Sequence, residues 1–527
     1  MNPGWDYVIV GAGSAGAALA ARLTEDPAVH VVLLEAGPDY RSAQTPAQFR
    51  TRDVDMTVER HREFWWPGLV ARRNPVQEPY RYLRGRGLGG SSTVNGLCAI
   101  RGVPDDYDRW AARGAKGWSF AEILPAFIAL EDEHDFPGAP YHGTGGPVPV
   151  YREPEDGWGG ADLAFRDAAI DAGHPWAADH NAPGSAGVSP FAMNISGGRR
   201  VSTNDGYLEP ARERPNLTIR GGCHAARLIF GPRSAGEPAV TGVELTTGEQ
   251  VRAAPGGEVI VACGAAHSPA LLMRSGIGPA ADLAALGIPV AACLPVGRGL
   301  QEHAMLLIPL RVRADMRPAR ENRVTNCILR YSSGIGGAGE NDMILLPNNG
   351  MTTPAGPAEP GSAQQPPSPP ASQRTAFMIV QQEQVFSRGR LALLSADPET
   401  DPLIEQRLLT DPRDLARMTD AVDRAGELLA HRAFTGPDGI LDGRPELPST
   451  SDLPHLVTDT VHLCGTCPMG SPADDGTVVD PDCRVLGVAG LRVIDASVMP
   501  SAPRANLHLT VVMIAEQMAA RLRSEAS

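Results

Sequence analysis

The first regular pattern along the chain is Tyr7-Val-Ile-Val10, an apolar run of strand length that breaks into Gly11-Ala-Gly13-Ser-Ala-Gly16 and then an alanine-rich stretch to Arg22. An apolar run stopped by glycine predicts a buried strand, a tight turn and a helix. A second run, His30-Val-Val-Leu-Leu-Glu35, predicts a strand ending on a carboxylate. The pattern returns at Val259-Ile-Val-Ala-Cys263, which leads into Gly264-Ala-Ala-His-Ser-Pro-Ala-Leu-Leu-Met-Arg-Ser-Gly-Ile-Gly278. Near the end, Val511, Ile514, Ala515, Met518 and Leu522 recur at three and four residues, predicting a helix with one buried face from about Leu509. Strands that lead through glycine turns into helices point to the α/β class.

The spacing within the first turn carries chemistry. Gly11 permits the turn, Gly13 lets backbone N–H groups approach a pyrophosphate, and Gly16 allows the helix to pack closely on the strand. Glu35 lies 24 residues beyond Gly11, where a ribose diol needs an acceptor. Its charge would repel a 2′-phosphate, which favours FAD or NAD over NADP.

Composition narrows the picture. A chain of 527 residues predicts two or more domains, and 42% apolar with 20% charged residues is ordinary for a folded globular protein. A formal charge of −14 argues against a nucleic-acid or anionic-membrane surface and favours small-molecule chemistry. No apolar run reaches spanning length. Only a few residues precede Tyr7, too few for a secretory leader, and eight mostly lone cysteines suit reduced core thiols; both point to the cytoplasm.

A glycine and hydroxyl cluster, Gly85-Arg-Gly-Leu-Gly-Gly-Ser-Ser-Thr-Val-Asn95, offers backbone that can approach a flat ring or a phosphate. With this cluster, the Gly264–Gly278 segment and the ending Gly490-Leu-Arg-Val-Ile-Asp-Ala-Ser-Val-Met-Pro500, the chain resembles the glucose-methanol-choline (GMC) oxidoreductases, FAD enzymes that oxidise alcohols, and within them the choline-dehydrogenase-like branch. The resemblance runs from Asp6 to about Arg521. It implies a Rossmann-type FAD-binding domain interleaved with a discontinuous α+β substrate domain built on an antiparallel sheet. The FAD domain is expected at 1–150, 215–300 and 455–527, and the substrate domain at 151–214 and 301–454. A proline-rich run, 354–370, is expected as a surface loop.

The same resemblance implies the cofactor contacts. In the first turn and strand these are Gly11, Gly13, Ser14, Ala15, Gly16, Glu35 and Ala36. Around the glycine cluster they are Arg86, Gly89, Gly90, Ser91, Asn95, Gly96, Leu97 and Cys98. Farther on come Ala225, Ala262, Gly264, Asp495 and Ala496, with Leu509 and Thr510 at the start of the last helix. Some relatives link flavin to a histidine before the position of Asn95; Val94 stands there and has no nucleophile, so FAD is expected to be noncovalent.

The stretch Val461-His-Leu-Cys-Gly-Thr-Cys-Pro-Met-Gly470 poses a choice between a histidine and a CxxC pair. His462-Leu-Cys-Gly-Thr466 matches the family's catalytic histidine, and His508 within Ala505-Asn-Leu-His508 matches its paired His or Asn. The expected roles are base for His462 and partner for His508. An alcohol gives up its hydroxyl proton to a neutral imidazole and a hydride to flavin N5. Cys464 and Cys467 have no second CxxC to complete a metal site and are expected to be packed thiols, so no metal is expected. The pair Trp65-Trp66 offers either core packing or a cage for a cationic substrate. The identity of the alcohol and the oligomeric state stay open. So does the electron acceptor (oxygen, a quinone or another carrier), with analogy favouring an oxygen-independent dehydrogenase. Two other functions share these motifs: an FAD-containing hydroxynitrile lyase, and a flavin-binding protein without turnover.

Overall fold

A computed structural model describes residues 4–52, 61–313, 324–351 and 375–526. The proline-rich run 354–370 lies outside the described residues. The first apolar run forms the strand Trp5–Val10, parallel to Val31–Leu34 on one side and to Gln250–Val261 on the other. Leu217–Arg220 extends the parallel set beyond Val31–Leu34, and Leu491–Val493 pairs with Gln250–Val261. Two antiparallel strands, Glu237–Leu245 and Ala225–Ser234, complete this seven-stranded sheet. Its central strands are buried on both faces, which is why they read as unbroken apolar runs.

The helix Ser14–Leu23 buries all five of its alanines against the sheet and the C-terminal helix Leu507–Ala526. Small side chains allow that approach. A methyl at Gly16 would stand 1.9 Å from the Gly11 carbonyl oxygen, so Gly16 sets helix-to-strand spacing. The last helix starts at Leu507, two residues before the expected start, because apolar periodicity from Val511 onward cannot register the first turn.

A second sheet has six strands, all antiparallel, in the order Thr458–Asp459, Ala304–Leu310, Thr375–Gln382, Met343–Met351, Cys327–Tyr331, Gly187–Pro190. Alternation gives it two faces. Leu306, Ile308, Leu345, Met378 and Val380 pack on helices Gly160–Asp171 and Pro412–Leu429. Met305, Leu307, Leu346, Ile379 and Gln381 point the other way and line a cavity. Three-stranded pairing joins Glu131–Glu133, Val148–Arg152 and Ala192–Met193, so the expected boundary at 150 falls inside a strand.

Candidate active site

One cavity of about 760 Å³ runs from the glycine turns to the open face of the antiparallel sheet. At the nucleotide end, Gly11, Gly13, Ser14 and Ala15 line it where the first helix begins, so unpaired N–H groups and the positive end of the helix face inward. A methyl at Gly13 would meet nothing within 4 Å, leaving room for a ligand, whereas at Gly11 it would reach the Ala262 carbonyl at 2.5 Å. Glu35 accepts the N–H groups of Ala12, Gly37 and Gly87 at 2.9, 2.8 and 2.9 Å. A carboxylate has about four acceptor sites, so one stays available for a ribose hydroxyl. These residues fit the ADP half of a dinucleotide.

Ala36, Gly90, Ser91, Asn95, Gly96, Cys98, Ala225, Ala262, Gly264, Asp495 and Ala496 also line the cavity, together with His462 and His508. Both Asp495 oxygens are committed to protein: one accepts from Gly264 N at 2.8 Å and Ser268 Oγ at 2.5 Å, the other from Ser497 N at 2.8 Å. Six expected contacts stand behind the wall instead. Gly16 spaces the helix. Gly89 donates its N–H to Ala12 O at 2.9 Å and so braces the first turn. Arg86 donates to Ala36 O at 2.9 Å. Leu97 is buried in an apolar cluster with Phe191 and Met193. Leu509 is buried, and Thr510 Oγ1 lies 2.9 Å from the Tyr107 hydroxyl.

His462 sits in a dense polar setting. Its Nδ1 is 2.7 Å from Thr460 Oγ1 and 3.0 Å from His303 Nδ1, and its Nε2 is 3.2 Å from Asn506 Nδ2. If the Asn506 amide donates to Nε2, then Nε2 is the unprotonated nitrogen and Nδ1–H donates to Thr460; this tautomer is assigned from the network. Burial, with His303 and Arg84 nearby, pushes the His462 imidazole well below its ordinary range, so it is neutral at neutral pH. Burial lowers His508 to about 4, with Arg200 adding to the effect. Among the described residues no hydrogen bond is found to the His508 ring; Asn506, two residues earlier, makes the direct contact with His462.

Sequence reading missed Asn506, Thr460, His303 and Glu302. Asn506 stands inside a segment already singled out. His303 has no local motif and is one of 13 histidines in the chain. Its ring meets that of His462 edge-on at 5.2 Å. Glu383 Oε2 approaches His303 Nδ1 at 3.7 Å, but the pair is neutral: burial drives His303 down to about 4 and Glu383 up to about 8.

Cys464 and Cys467 are fully buried and not joined in a disulfide, and burial holds both thiols above the ordinary range, so neither is a ready thiolate. Trp66 stacks on His267 at 3.9 Å with the Arg86 guanidinium 5.3 Å from its centroid, and Trp65 is buried beside Phe49. Both indoles also line the cavity.

The N-terminal and C-terminal models of GMC oxidoreductases match residues 5–305 and 385–515. The chain belongs to the GMC oxidoreductase family. GMC oxidoreductases are FAD flavoenzymes that oxidise an alcohol CH–OH group to a carbonyl, and this is the chemistry of the chain. It is 36% identical over 556 residues to 5-(hydroxymethyl)furfural oxidase of Methylovorus sp., covering 99% of both chains. It is 35% identical over 554 residues to oxygen-dependent choline dehydrogenase 1 of Chromohalobacter salexigens, covering 98% of this chain and 95% of that one. The solved structure of pyridoxine 4-oxidase from Mesorbium loti superposes with a TM-score of 0.84 at 28% identity, over 99% of each chain. Among the described residues no helix is long and apolar enough to cross a membrane.

Proposed function

We propose that His462 is the base of this GMC oxidoreductase and that its substrate is a neutral, apolar-bodied primary alcohol. The observation that carries the first part is the His462 Nε2, faced by Asn506 and held neutral in the cavity that the glycine turns also line. Nε2 takes the proton from the hydroxyl oxygen while a hydride leaves the carbinol carbon that bears it, so the alcohol loses two electrons and two hydrogens to become an aldehyde. FAD, when bound, supplies the hydride acceptor. In this reading Asn506 and His508, which line the same cavity, steady the charge that develops on the oxygen. Thr460 and His303 keep the proton on Nδ1 and so leave Nε2 free to accept.

Support for the substrate class comes from the wall. Among the described residues, the sheet face offers Met305, Leu307, Leu346 and Ile379, joined by Phe191, with Gln381, Asn348 and Thr325 as polar groups. None of these carries a charge; the charged side chains of the cavity lining are Glu35, Arg73, Arg81, Arg84, Arg274, Asp459 and Asp495. Asp459, the carboxylate nearest to His462 along the chain, accepts from Arg73 Nε at 2.9 Å and from the Tyr80 hydroxyl. A quaternary ammonium would find the Asp459 carboxylate already paired and would meet the cationic Arg73, Arg81 and Arg84 on the same lining. The relatives named for (hydroxymethyl)furfural and pyridoxine fit this wall better than those named for choline.

The reading extends to four further points. FAD is held noncovalently, since Val94 offers no nucleophile. Oxygen is the electron acceptor in this reading, because the names of the (hydroxymethyl)furfural and pyridoxine relatives read oxidase and those of the bacterial choline relatives read oxygen-dependent, although the 34% identical human relative is named choline dehydrogenase; this departs from the dehydrogenase analogy. The FAD domain comprises 1–150, 215–300 and 455–527 with the substrate domain between, its first boundary moved off 150 to clear the strand Val148–Arg152. The eight cysteines, none in a disulfide among the described residues, suit the cytoplasm.

The test is an anaerobic panel. Benzyl alcohol and 5-(hydroxymethyl)furfural are expected to bleach the oxidised flavin band at least about tenfold faster than choline at equal concentration, a discrimination typical of a desolvated polar mismatch. Admitting air should then give one hydrogen peroxide per aldehyde. Acid precipitation should leave yellow flavin in the supernatant. Faster bleaching by choline would overturn the substrate class, and no bleaching by any alcohol would return the lyase reading.

A further inference from the structure

Val461, directly before His462, has φ of +55°. A β-branched residue in the left-handed region is strained, because its Cβ crowds the following carbonyl oxygen. Such strain persists only where the surroundings over-determine the backbone. Two buried carboxyls do so here. Glu302 Oε1 accepts the backbone N–H of His462 at 2.5 Å and the Thr460 hydroxyl at 3.3 Å, while its Oε2 accepts the Tyr82 hydroxyl at 2.6 Å. Asp459 Oδ1 accepts the backbone N–H of Val461 at 3.2 Å. The two successive N–H groups that flank the strained torsions are therefore bound by different side chains. The carboxyls come from neighbouring strand ends, since Asp459 pairs with Ala304 and Glu302 lies just ahead of it.

Burial, with Asp459 close by, lifts Glu302 to about 8. It is largely a neutral acid at neutral pH, and its Oε1 stays an acceptor in either protonation state.

We propose that Glu302 is a positioning residue: its carboxyl, together with that of Asp459, holds Val461 in the left-handed conformation that aims the His462 imidazole into the cavity. The inference rests on the reading of His462 as base. Without the Glu302 acceptor, Val461 relaxes to negative φ and the imidazole leaves its place opposite Asn506. Glycine adopts positive φ without strain, so Val461→Gly removes the drive to relax.

The experiment is a double-mutant cycle on FAD-loaded protein, reading anaerobic flavin reduction by saturating benzyl alcohol together with KM. Glu302→Ala alone is expected to lower the limiting rate about thirtyfold while KM moves less than about threefold, the scale set by release of one strained residue. Adding Val461→Gly is expected to recover at least about fivefold of that loss, and Glu302→Gln, which keeps a carbonyl acceptor, to lose less than Glu302→Ala. A merely structural role predicts the opposite, since glycine removes packing and adds backbone freedom; equal or greater loss in the double variant overturns the proposal. Should Glu302→Ala yield no FAD-loaded protein, Asp459→Ala is read in the same cycle with the same two outcomes. His462→Ala separates the premises. Wild-type reduction in that variant overturns the base assignment, whereas its inactivity combined with no recovery by Val461→Gly overturns the clamp alone.

Discussion

Two histidines enclosed by this fold differ in charge: His142 is cationic and His462 is neutral. His142 lies between Glu131 and Asp179, with Nδ1 2.8 Å from Glu131 Oε2 and Nε2 2.9 Å from Asp179 Oδ2; Glu133 Oε2 stands 3.6 Å away. Burial pulls its pKa down, but the hydrogen bonds to Asp179 and Glu131 outweigh that and raise it to about 9. His462 lines the cavity and faces another imidazole, an amide, a hydroxyl and an acid that is itself neutral, and so stays uncharged. Burial sets the cost of charging an imidazole; the presence of ionised carboxylates decides whether that cost is met. The charged histidine belongs to a structural lock, in which Arg101 pairs with Glu131 and Arg152 bridges Glu133 and Asp179. The neutral one is free to accept a proton.

The contrast can be broken most forcefully at the lock. His142→Leu leaves three buried carboxylates against two arginines and is expected to cost about 3–5 kcal/mol in urea unfolding, with little effect on the rate of flavin reduction in protein that stays folded. A loss below 1 kcal/mol would show that His142 is not charged. The pH dependence sharpens the same point. Because the folded pKa is raised above the ordinary 6.5, the stabilisation is fully present below that value and is lost as pH rises through about 9. Wild-type protein should lose about 3 kcal/mol over this window, and His142→Gln should flatten the decline.

In and around the cavity the effects are smaller and fall on rate. His508→Ala is expected to slow flavin reduction about tenfold and His508→Asn less, since an amide can still donate to a developing oxyanion. Equal losses in both would assign His508 a packing role. Cys464→Ser and Cys467→Ser are expected to stay within about threefold, as for buried thiols outside the chemistry. Collapse of reduction in either, with FAD retained, would move the chemistry to the CxxC pair.

How much of this was legible depended on whether the physics was local. The parallel core was legible because Val8, Ile9 and Val10, and again Val259, Ile260 and Val261, are consecutive and fully buried strands next to glycine turns. His462 and His508 were legible through motif resemblance, and the structure sets both on one cavity wall. The antiparallel sheet was not legible in detail, because the pairing of Met305 with Gln381 joins distant segments that lack marker residues. His303 and Glu302 carry no local signature, and only the fold brings them under His462. The left-handed Val461 runs against local propensity altogether. Asn506 was in plain view, but periodicity placed the helix start beyond it.

The central claim is that a neutral His462 removes the alcohol proton, and single-turnover reduction of His462→Ala tests it most directly. Protein with confirmed FAD content, mixed anaerobically with saturating benzyl alcohol, should reduce its flavin at least about a hundredfold more slowly than wild type, the scale for removal of a positioned acid–base group. Reduction at a near wild-type rate, with FAD and fold intact, would contradict the account.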